Sequence, residues 1–516
     1  MRAADEGAIR AGVPSLTLME NAARGIAEAI AEYFSGWRRA VVACGPGNNG
    51  GDGLAAARML HDRLSVRVFT LRDPGSYRGD PAVNAGRARE AGLELESLER
   101  EEGMEALARA LDEADGVVDA LFGTGLDRPL EGAAARVVGA INRAGRPVVA
   151  ADVPSGLFSD TGEIRGDSVQ ASLTVAFAAP KLCHALPPAR QRCGKLVVHD
   201  IAIPKSLLEP SGHPLVLATR EGVRDLLPPR APGAHKGDFG SVAIVAGSRG
   251  KAGAAVLAAR GALRGGAGLV TVFCPASLET IVVTALPEAM TQGLPEKDGA
   301  LAAAAGPELL QRLAGFDAAV AGPGLGTAEG TVAAIEAVVR EAPLPIVLDA
   351  DGLNAFAGRP RFLEERRAAA VATPHPGEAG RLLGRSAKEV QSDRLAAARE
   401  LAHRMNCCVL LKGEASLTAT PDGRVVVNSS GTPLLATAGS GDVLSGLIGA
   451  LLGAGLVPPE AAAASAWLHG AAGERLAETM GDAGLLSHEV ADAVPRVRRD
   501  LHGRGSGDGR REAANK

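Results

Sequence analysis

The chain has 516 residues, of which 46% are hydrophobic and 22% are charged, a balance typical of a folded globular protein and not of a disordered one. Its formal net charge is −5 and only 3% of the residues are aromatic, which argues against nucleic acid or an anionic membrane as the main partner. The length predicts two or three domains, each able to bury its own core.

The cysteines and the N-terminal segment indicate a cytoplasmic protein. None of the six cysteines forms a Cys-x-x-Cys pair or a zinc-like cluster with histidine, so we expect them to be reduced. The first residues carry Asp5 and Glu6 without an apolar segment, so no signal peptide is predicted. The longest apolar run, residues 443–457, is too short to span a bilayer.

Proline marks a predicted boundary between two domains. Six prolines fall between Pro204 and Pro232, which predicts a linker over residues 206–232. The flanking domains are then expected over residues 1–205 and 233–500. The remaining segment, 501–516, is charged and rich in glycine, and we expect it to be disordered.

Both halves alternate short β-branched runs with alanine-rich helical stretches. Apolar strands separated by helices predict parallel sheets covered on both faces, so the fold class is α/β with two doubly wound domains. Such sheets bind ligands beyond the carboxyl ends of their strands, which directs attention to the residues after each run. The runs are 40–44, 66–70, 116–121, 147–152 and 173–178, then 241–247, 269–273, 318–322, 345–351, 369–373 and 408–413.

A glycine-rich loop, GPGNNGGDG, follows the first run at residues 45–53. It matches the dinucleotide pattern G-x-G-x-x-G before a helix, where backbone N–H groups can approach a pyrophosphate. Asn48, Asn49 and Asp52, however, place polar side chains where that loop is usually small. The alternatives are a turn that merely connects a strand to a helix and a nicotinamide dehydrogenase, which would transfer hydride.

Two more strands of the first half end in acids. Asp119 lies at the end of one predicted strand, and Asp152 lies at the end of another with Ser155 close behind. Together with Asn49, these oxygens could hold a hard cation, or one of the carboxylates could act as a base. A strand-end aspartate that only caps a helix is the structural alternative.

Four segments in this order resemble the NAD(P)H-hydrate epimerase family: LMENAARG (18–25), GPGNNGGDG, DALFGTGLDRP and DVPSG. The resemblance covers residues 1–205 and implies a Rossmann-like fold that epimerises C6 of hydrated NADH or NADPH. It implies that Asp152 faces the nucleotide and is the candidate acid/base, and that Asn49, Asp119 and Ser155 hold a potassium ion. It assigns further substrate contacts to Asn48, Asn49, Gly50, Gly51, Asp52, Gly123, Thr124, Gly125, Leu126, Asp127, Arg128 and Pro129.

In the second half, ATAGSGDVLSG (436–446) joins a turn of small residues to an apolar helix. The backbone N–H groups of Gly439 to Gly441 could stabilise a phosphoryl group in transfer, and Asp442 could take the proton from its acceptor hydroxyl. The alternative is an aspartate that only stabilises the helix dipole. No G-x-x-x-x-G-K-[ST] occurs, so this is not a P-loop protein.

Two further loops follow apolar runs in the second half. Lys412 ends one run in LLKGEAS and could contact a nucleotide phosphate, or it could simply be solvated. His375 lies between two prolines in TPHPGE, where it could face a ligand, cap a helix or pack in the core.

The order KGDFG, AGAA, GPGLG, LDADGLN, TPHPGE, LLKG and GSGD resembles the ADP/ATP-dependent NAD(P)H-hydrate dehydratase family over residues 225–495. The resemblance implies a ribokinase-like fold in which Asp442 is the catalytic acid/base. It implies a hydrate site lined by Ala254, Gly324, His375 and Asp442, and a site for ADP or ATP with Mg²⁺. The nucleotide contacts it assigns are Lys412, Gly413, Glu414, Ala415, Ser416 and Gly441.

Together the two resemblances predict an enzyme that repairs hydrated NADH and NADPH. One half would interconvert the C6 epimers, and the other would dehydrate one epimer after phosphorylating it. We expect a homo-oligomer without nucleic-acid or membrane partners. The main alternative is a ribokinase-like small-molecule kinase whose first half is a nucleotide-binding module.

Overall fold

The computed structural model describes residues 2–208 and 215–503. The chain forms two compact units, residues 1–210 and 211–516. Across the described residues, no helix combines the length and the apolar character needed to cross a membrane.

The first unit is one parallel sheet of seven strands with the order β3-β2-β1-β4-β5-β6-β7. Its strands are β1 (Arg39–Cys44), β2 (Ser65–Thr70), β3 (Leu95–Ser97), β4 (Gly116–Ala120), β5 (Val148–Ala151), β6 (Leu173–Phe177) and β7 (Lys195–His199). Its helices are α1 (Arg2–Arg10), α2 (Ser15–Tyr33), α3 (Asn48–His61), α4 (Asp80–Glu90), α5 (Glu101–Glu113), α6 (Gly132–Ala144), α7 (Leu182–Ala185) and α8 (Lys205–Leu208).

Helices cover both faces of this sheet. Val42 and Val118 pack with α2 and α3 in one apolar cluster, whereas their neighbours Val41 and Val117 pack with α5 and α6 in another. Successive side chains of a strand point to opposite faces, so every central strand must be apolar throughout. This is the doubly wound, Rossmann-like arrangement predicted from the sequence.

The second unit contains a sheet of ten strands with the order β11-β10-β9-β14-β15-β16-β17-β18-β19-β8 and a separate hairpin of β12 and β13. Neighbouring strands from β11 to β17 in this order are parallel, and β18 is antiparallel to both of its neighbours. The strands are β8 (Leu215–Ala218), β9 (Ser241–Val245), β10 (Leu269–Pro275), β11 (Met290–Leu294), β12 (Glu296–Lys297), β13 (Ala300–Leu301), β14 (Ala318–Ala321), β15 (Ile346–Leu348), β16 (Ala370–Ala372), β17 (Cys408–Leu411), β18 (Leu417–Ala419) and β19 (Val425–Asn428).

Twelve α-helices are found among the described residues of this unit, and two of them approach each other very closely. A Cβ on Gly446 would lie 1.8 Å from the carbonyl oxygen of Ala258, so glycine is required where these helices cross. The crossing pair is α10 and α18 of the set α9 (Arg220–Leu226), α10 (Ala252–Gly265), α11 (Glu279–Ala285), α12 (Ala305–Leu313), α13 (Glu329–Glu341), α14 (Asp351–Asn354), α15 (Pro376–Leu383), α16 (Ala387–Ser392), α17 (Arg394–Met405), α18 (Ser440–Gly453), α19 (Pro458–Met480) and α20 (Ser487–Gly503).

The predicted α/β class is confirmed, and each of the eleven predicted runs contains a strand. The prediction missed β3, β7, β8 and β11, all of which lie at sheet edges and are partly exposed. β3, β7 and β11 include polar or charged residues, as a strand shielded on one side only can, whereas β8 is apolar but lies within the proline-rich segment. The antiparallel pairs of β18 with β19 and of β12 with β13 were also missed.

The predicted linker over residues 206–232 is wrong in part. Residues 215–226 form β8 and α9, because β8 pairs with β19 and Val223 is buried in the core of the second unit. Residues 209–214 lie outside the described part. Of the tail predicted over 501–516, residues 501–503 complete α20, and the rest lies outside the described residues.

We expect Gly53→Ala in α3 to destabilise the first unit by about 1–3 kcal/mol, because its Cβ would lie 2.4 Å from Ala120 Cβ. The matched control is Gly86→Ala in α4, which has open space at that position and should gain about 0.5–1 kcal/mol. Urea unfolding followed by fluorescence would measure both. Equal effects of the two substitutions would contradict the tight packing of α3 on the sheet.

Candidate active sites

The first candidate site lies at the carboxyl ends of β1, β4, β5 and β6. Its glycine loop is pressed against the loop after β4, since a Cβ on Gly45 would lie 1.8 Å from the carbonyl oxygen of Leu121. Helix α3 begins at Asn48, directly after Gly47 in an extended conformation. The loop therefore aims the start of α3 at the edge where the acidic residues lie.

Asp119 is fully buried and is held by neutral donors. Its Oδ1 accepts a 2.6 Å bond from Ser155 Oγ, and its Oδ2 accepts a 2.8 Å bond from Ser155 N–H. Burial raises the pKa of Asp119 to about 6, although the bonds from Ser155 and Leu121 oppose the shift. Ser155 Oγ also accepts from Phe122 N–H at 2.9 Å and lies 3.2 Å from the Phe122 carbonyl oxygen.

Asn49 completes this group. Its Nδ2 is buried and has no hydrogen-bond partner in the described part of the chain. Its Oδ1 would lie 3.0 Å from a Cβ on Gly123, so the loop after β4 packs directly on the Asn49 amide. The structure thus brings Asn49, Asp119 and Ser155 to one edge of the sheet.

Asp152 has an unusual backbone and a buried cation beside it. Its φ is 63°, a left-handed conformation that costs free energy in a residue other than glycine. Its Oδ1 accepts from Phe177 N–H at 3.0 Å and from Lys181 Nζ. Lys181 Nζ also donates to the Phe177 carbonyl oxygen at 2.8 Å, so the buried ion pair has a fixed geometry.

Lys181 was missed by the sequence analysis. The available signal was that it is one of only nine lysines and lies just after the apolar run 173–178. A second carboxylate, Asp52, is buried at the start of α3, where burial and then the charge of Asp152 raise its pKa well above the usual value. Of the other predicted contacts, Gly50 and Gly51 are buried, whereas Asn48 and most of the loop 123–129 are partly or fully exposed.

The second candidate site lies at the carboxyl ends of β9, β14, β15, β16 and β17. Helix α18 begins there after Gly439, whose φ is 86° and whose Cβ would lie 2.5 Å from Leu257 Cδ1. Ser440 N–H donates to the Thr437 carbonyl oxygen at 3.3 Å. The next N–H groups, of Gly441 and Asp442, belong to the first turn, whose donors have no intrahelical partner and are available to an anion.

The electrostatics around Asp442 favour its protonated form. Burial raises the pKa of Asp442 to about 7, and the carboxylates of Asp349, Asp351 and Glu378 add to the shift. Lys412 acts in the opposite direction but does not cancel it. A carboxyl group with a pKa near 7 can exchange a proton with a bound hydroxyl at neutral pH.

Lys412 forms the electrostatic centre of this site. Its Nζ is 2.7 Å from Asp349 Oδ1 and 3.9 Å from Glu378 Oε2, and it would lie 3.3 Å from a Cβ on Gly441. Burial disfavours its charge, but these carboxylates raise the pKa of Lys412 above the usual value. Thr373 Oγ1 donates to the same Asp349 oxygen at 2.8 Å.

Asp349 and Glu378 were not among the predicted site residues, although both lie in motifs that the sequence analysis used, LDADGLN and TPHPGE. Asp351 was also missed. It accepts from Gly326 N–H at 2.8 Å and from Lys251 Nζ at 3.1 Å, and these bonds, with Asn354, keep its pKa below the usual value despite partial burial.

His375 is the N-cap of α15, which was one of its predicted alternatives. Its Nδ1 accepts from Gly377 N–H at 3.0 Å, so Nε2 carries the proton and lies 3.3 Å from Glu378 Oε1. Burial lowers the pKa of His375, which keeps the ring neutral near pH 7. Half of the side chain remains exposed and can contact a ligand.

The other predicted positions of the second unit fall into two groups. Ala254 and Gly324 are adjacent, since a Cβ on Gly324 would lie 2.8 Å from Ala254 Cβ. The loop 412–416 is held by Arg394, which donates to the carbonyl oxygens of Glu414 and Lys412, and by the 3.0 Å bond from Ser416 Oγ to the Gly413 carbonyl oxygen. Among the described residues, no group of three or more His, Cys, Asp or Glu side chains is arranged to hold a metal ion.

Two family models match the two halves of the chain. Residues 15–183 match the YjeF-related protein N-terminus, and residues 242–496 match NAD(P)H-hydrate dehydratase. The second model covers β9 to most of α20, and therefore every loop of the second site.

The chain is also similar to full-length relatives and to a solved structure. The chain is 43% identical over 494 residues to the bifunctional NAD(P)H-hydrate repair enzyme Nnr of Moorella thermoacetica, covering 95% of this chain and 93% of the relative. It is 42% identical over 498 residues to the enzyme of the same name from Thermofilum pendens, covering 96% and 94%. The crystal structure of ADP/ATP-dependent NAD(P)H-hydrate dehydratase from Bacillus subtilis, co-crystallised with ATP/Mg²⁺, is 33% identical and covers 55% of this chain and 98% of that chain with a TM-score of 0.49.

The two relatives extend over both sites and over both units of the chain. The resemblances predicted from the sequence motifs are therefore confirmed: the chain belongs to the family of bifunctional NAD(P)H-hydrate repair enzymes.

Proposed function

We propose that the first unit interconverts the two C6 epimers of hydrated NADH and NADPH, and that the second unit dehydrates one epimer with ADP or ATP. The observation that carries this proposal is the pair of separate carboxylate sites, one at the carboxyl edge of each sheet. The catalytic groups proposed are Asp152 in the first and Asp442 in the second.

Epimerisation requires proton transfer at the C6 hydroxyl. C6 is bonded to the ring nitrogen, whose lone pair can expel the hydroxyl group as water once an acid protonates it. The resulting flat iminium can then take up water from the opposite face, with a base accepting the proton. Asp152 is the proposed acid/base, because Lys181 and the Phe177 N–H hold its carboxylate in a fixed orientation inside the site.

The oxygen-rich group beside Asp152 fits a potassium ion. Asp119 is a buried carboxylate without a cationic side chain in contact among the described residues, and the Asn49 side-chain oxygen packs on the loop after β4 at Gly123. Carboxylate, amide and hydroxyl oxygens suit a hard cation of low charge. Asn49, Asp119 and Ser155 would hold it, and the ion would supply positive charge close to the phosphates of the substrate.

Dehydration proceeds in two steps in our proposal. Asp442 takes the proton of the C6 hydroxyl while that oxygen attacks the terminal phosphorus of the nucleotide, and N–H groups at the start of α18 stabilise the transferring group. Loss of inorganic phosphate from C6 and of a proton from C5 then restores the double bond of NADH or NADPH. Lys412 and the loop 412–416 would bind the nucleotide, and Mg²⁺ would neutralise its phosphates.

We further propose that the protein works in the cytoplasm as a homo-oligomer, with small molecules as its ligands. The six cysteines are buried and unpaired, which suits a reducing compartment. Light scattering of the purified protein would test the oligomeric state.

Wild-type protein should convert both epimers of hydrated NADH to NADH with Mg²⁺ and ADP or ATP, followed by the near-ultraviolet absorbance of the restored ring. Asp442→Asn should slow dehydration by about 10²–10⁴-fold and leave epimerisation intact, because it removes the proton acceptor of the second site. Asp152→Asn should do the reverse, so that only one epimer is recovered quickly. The faster nucleotide identifies the phosphoryl donor.

One substitution that abolishes both activities in folded protein would contradict two independent sites. A stable phosphorylated product without recovery of NADH would favour the small-molecule kinase instead. Circular dichroism and thermal melting of each variant control for unfolding.

The pH dependence of dehydration follows from Asp442. Its pKa is raised to about 7, and a general base must be ionised, so kcat/KM should fall tenfold per pH unit below about pH 7. The residual rate of Asp442→Asn should not show this decline. A kcat/KM that is flat down to about pH 5 would rule out Asp442 as the base, since that value is near the ordinary carboxyl range.

Potassium should accelerate epimerisation and raise the melting temperature of the first unit, whereas tetramethylammonium at equal ionic strength should do neither. Asp119→Asn removes the charge that favours the ion and should abolish both responses. Ser97→Ala, a change far along the sheet at the end of β3, is the control and should retain them. Equal effects of the two cations on wild-type protein would contradict a potassium site.

A further inference from the structure

No side chain of the described residues caps the N-terminus of α18. Gly439 is the N-cap of the helix, and it has no side chain with which to bond the N–H groups of the first turn. Residues 438–441, here called the catalytic turn, precede Asp442 directly. Their orientation therefore depends on bonds from other elements.

Two side chains from distant helices supply these bonds. Ser487, the first residue of α20, donates its hydroxyl to the Ala438 carbonyl oxygen at 2.6 Å. His469, in the middle of α19, places Nε2 3.1 Å from the Ser440 carbonyl oxygen and 3.1 Å from Ser440 Oγ. The catalytic turn is thus held at Ala438 and at Ser440, directly before the N–H groups of Gly441 and Asp442.

The contacts of His469 determine which ring nitrogen carries the proton. A carbonyl oxygen can only accept, so an unprotonated Nε2 at 3.1 Å from the Ser440 carbonyl would place two acceptors together. Nε2 must therefore carry a proton and donate to Ser440. Burial lowers the pKa of His469 to about 4, with the charge of Lys412 acting in the same direction, so the ring is neutral at physiological pH.

A buried neutral histidine could serve packing alone, but the single N–H donor of the His469 ring is directed at Ser440 in the catalytic turn. A donor aimed at Ser440 fixes the peptide plane that leads into Gly441. Small rotations of that plane would turn the N–H groups of the first turn away from a phosphoryl group.

We propose that His469 is a positioning residue for phosphoryl transfer: its Nε2–H holds Ser440 so that the first-turn N–H groups of α18 point at the transferring group, with Ser487 as the second support. The inference rests on the proposed dehydratase function of the second unit. His469 is buried and acts through the geometry of the catalytic turn.

The test compares His469→Met with His469→Gln in the full chain. Methionine fills a similar volume without a donor, whereas the glutamine amide can place an N–H where Nε2 lies. We expect His469→Met to lower the kcat of dehydration by about 10–10²-fold, less than loss of an anion-hole donor itself, while KM values for hydrate and nucleotide change less than about twofold. His469→Gln should recover most of kcat.

Ser487→Ala provides a second variant should His469→Met fail to fold, and it should also lower kcat without raising KM. A further readout does not depend on activity. Nitrogen-15 spectra of the histidine rings should show His469 as the Nε2–H form, without titration between about pH 5 and pH 8, around the ordinary histidine pKa.

The proposal is overturned if folded His469→Met and Ser487→Ala retain the wild-type kcat, if glutamine fails to rescue a folded methionine variant, or if the spectra show an Nδ1–H or titrating ring. These outcomes are separate from failure of the proposed function. If the proposed function were wrong, wild-type protein itself would not restore NADH with either nucleotide. The spectra would still report on the bond from His469 to Ser440.

Discussion

Carboxylates buried at the carboxyl edge of a parallel sheet need compensation, and both units of this protein are arranged around that need. A buried charge is costly unless it is paired or bonded, and burial otherwise raises the pKa until the group takes up a proton. Because all strands of a parallel run end at one edge, each further acid there adds repulsion. What compensates each acid determines the chemistry that it can perform.

The compensation differs from one carboxylate to the next. Asp152 has Lys181 as a buried partner, whereas Asp119 has only neutral donors and keeps a pKa of about 6. In the second unit, Lys412 forms its shortest ion pair with Asp349 and does not offset the burial of Asp442, whose pKa is about 7. In the second unit, the carboxyl group with the least compensation is thus the one best prepared to exchange a proton at neutral pH.

Close backbone approach is the second constraint on both sites. Gly45 lets the first loop meet the loop after β4, and Gly446 lets α18 lie directly on α10. In each unit the helix that begins at the site is anchored on the sheet or on a neighbouring helix within its first two turns. Where the sequence offers no capping side chain, as at Gly439, side chains from α19 and α20 hold the turn through its carbonyl oxygens instead.

The sequence by itself determined the α/β class, the central strands and the motifs of both sites, because apolar strands and glycine loops are local patterns that chain order preserves. It also carried the resemblance that the full-length relatives confirmed. Only the tertiary structure decided that residues 215–226 belong to the second unit, because β8 is apolar but lies in the proline-rich stretch that predicted a linker, and its pairing with β19 identifies it as a strand. The same holds for the partners of the reactive groups, because Lys181 and Asp152, Asp349 and Lys412, and His469 and Ser440 are 29 to 63 positions apart in the chain. Such contacts depend on how the strands and helices pack and not on distance along the chain.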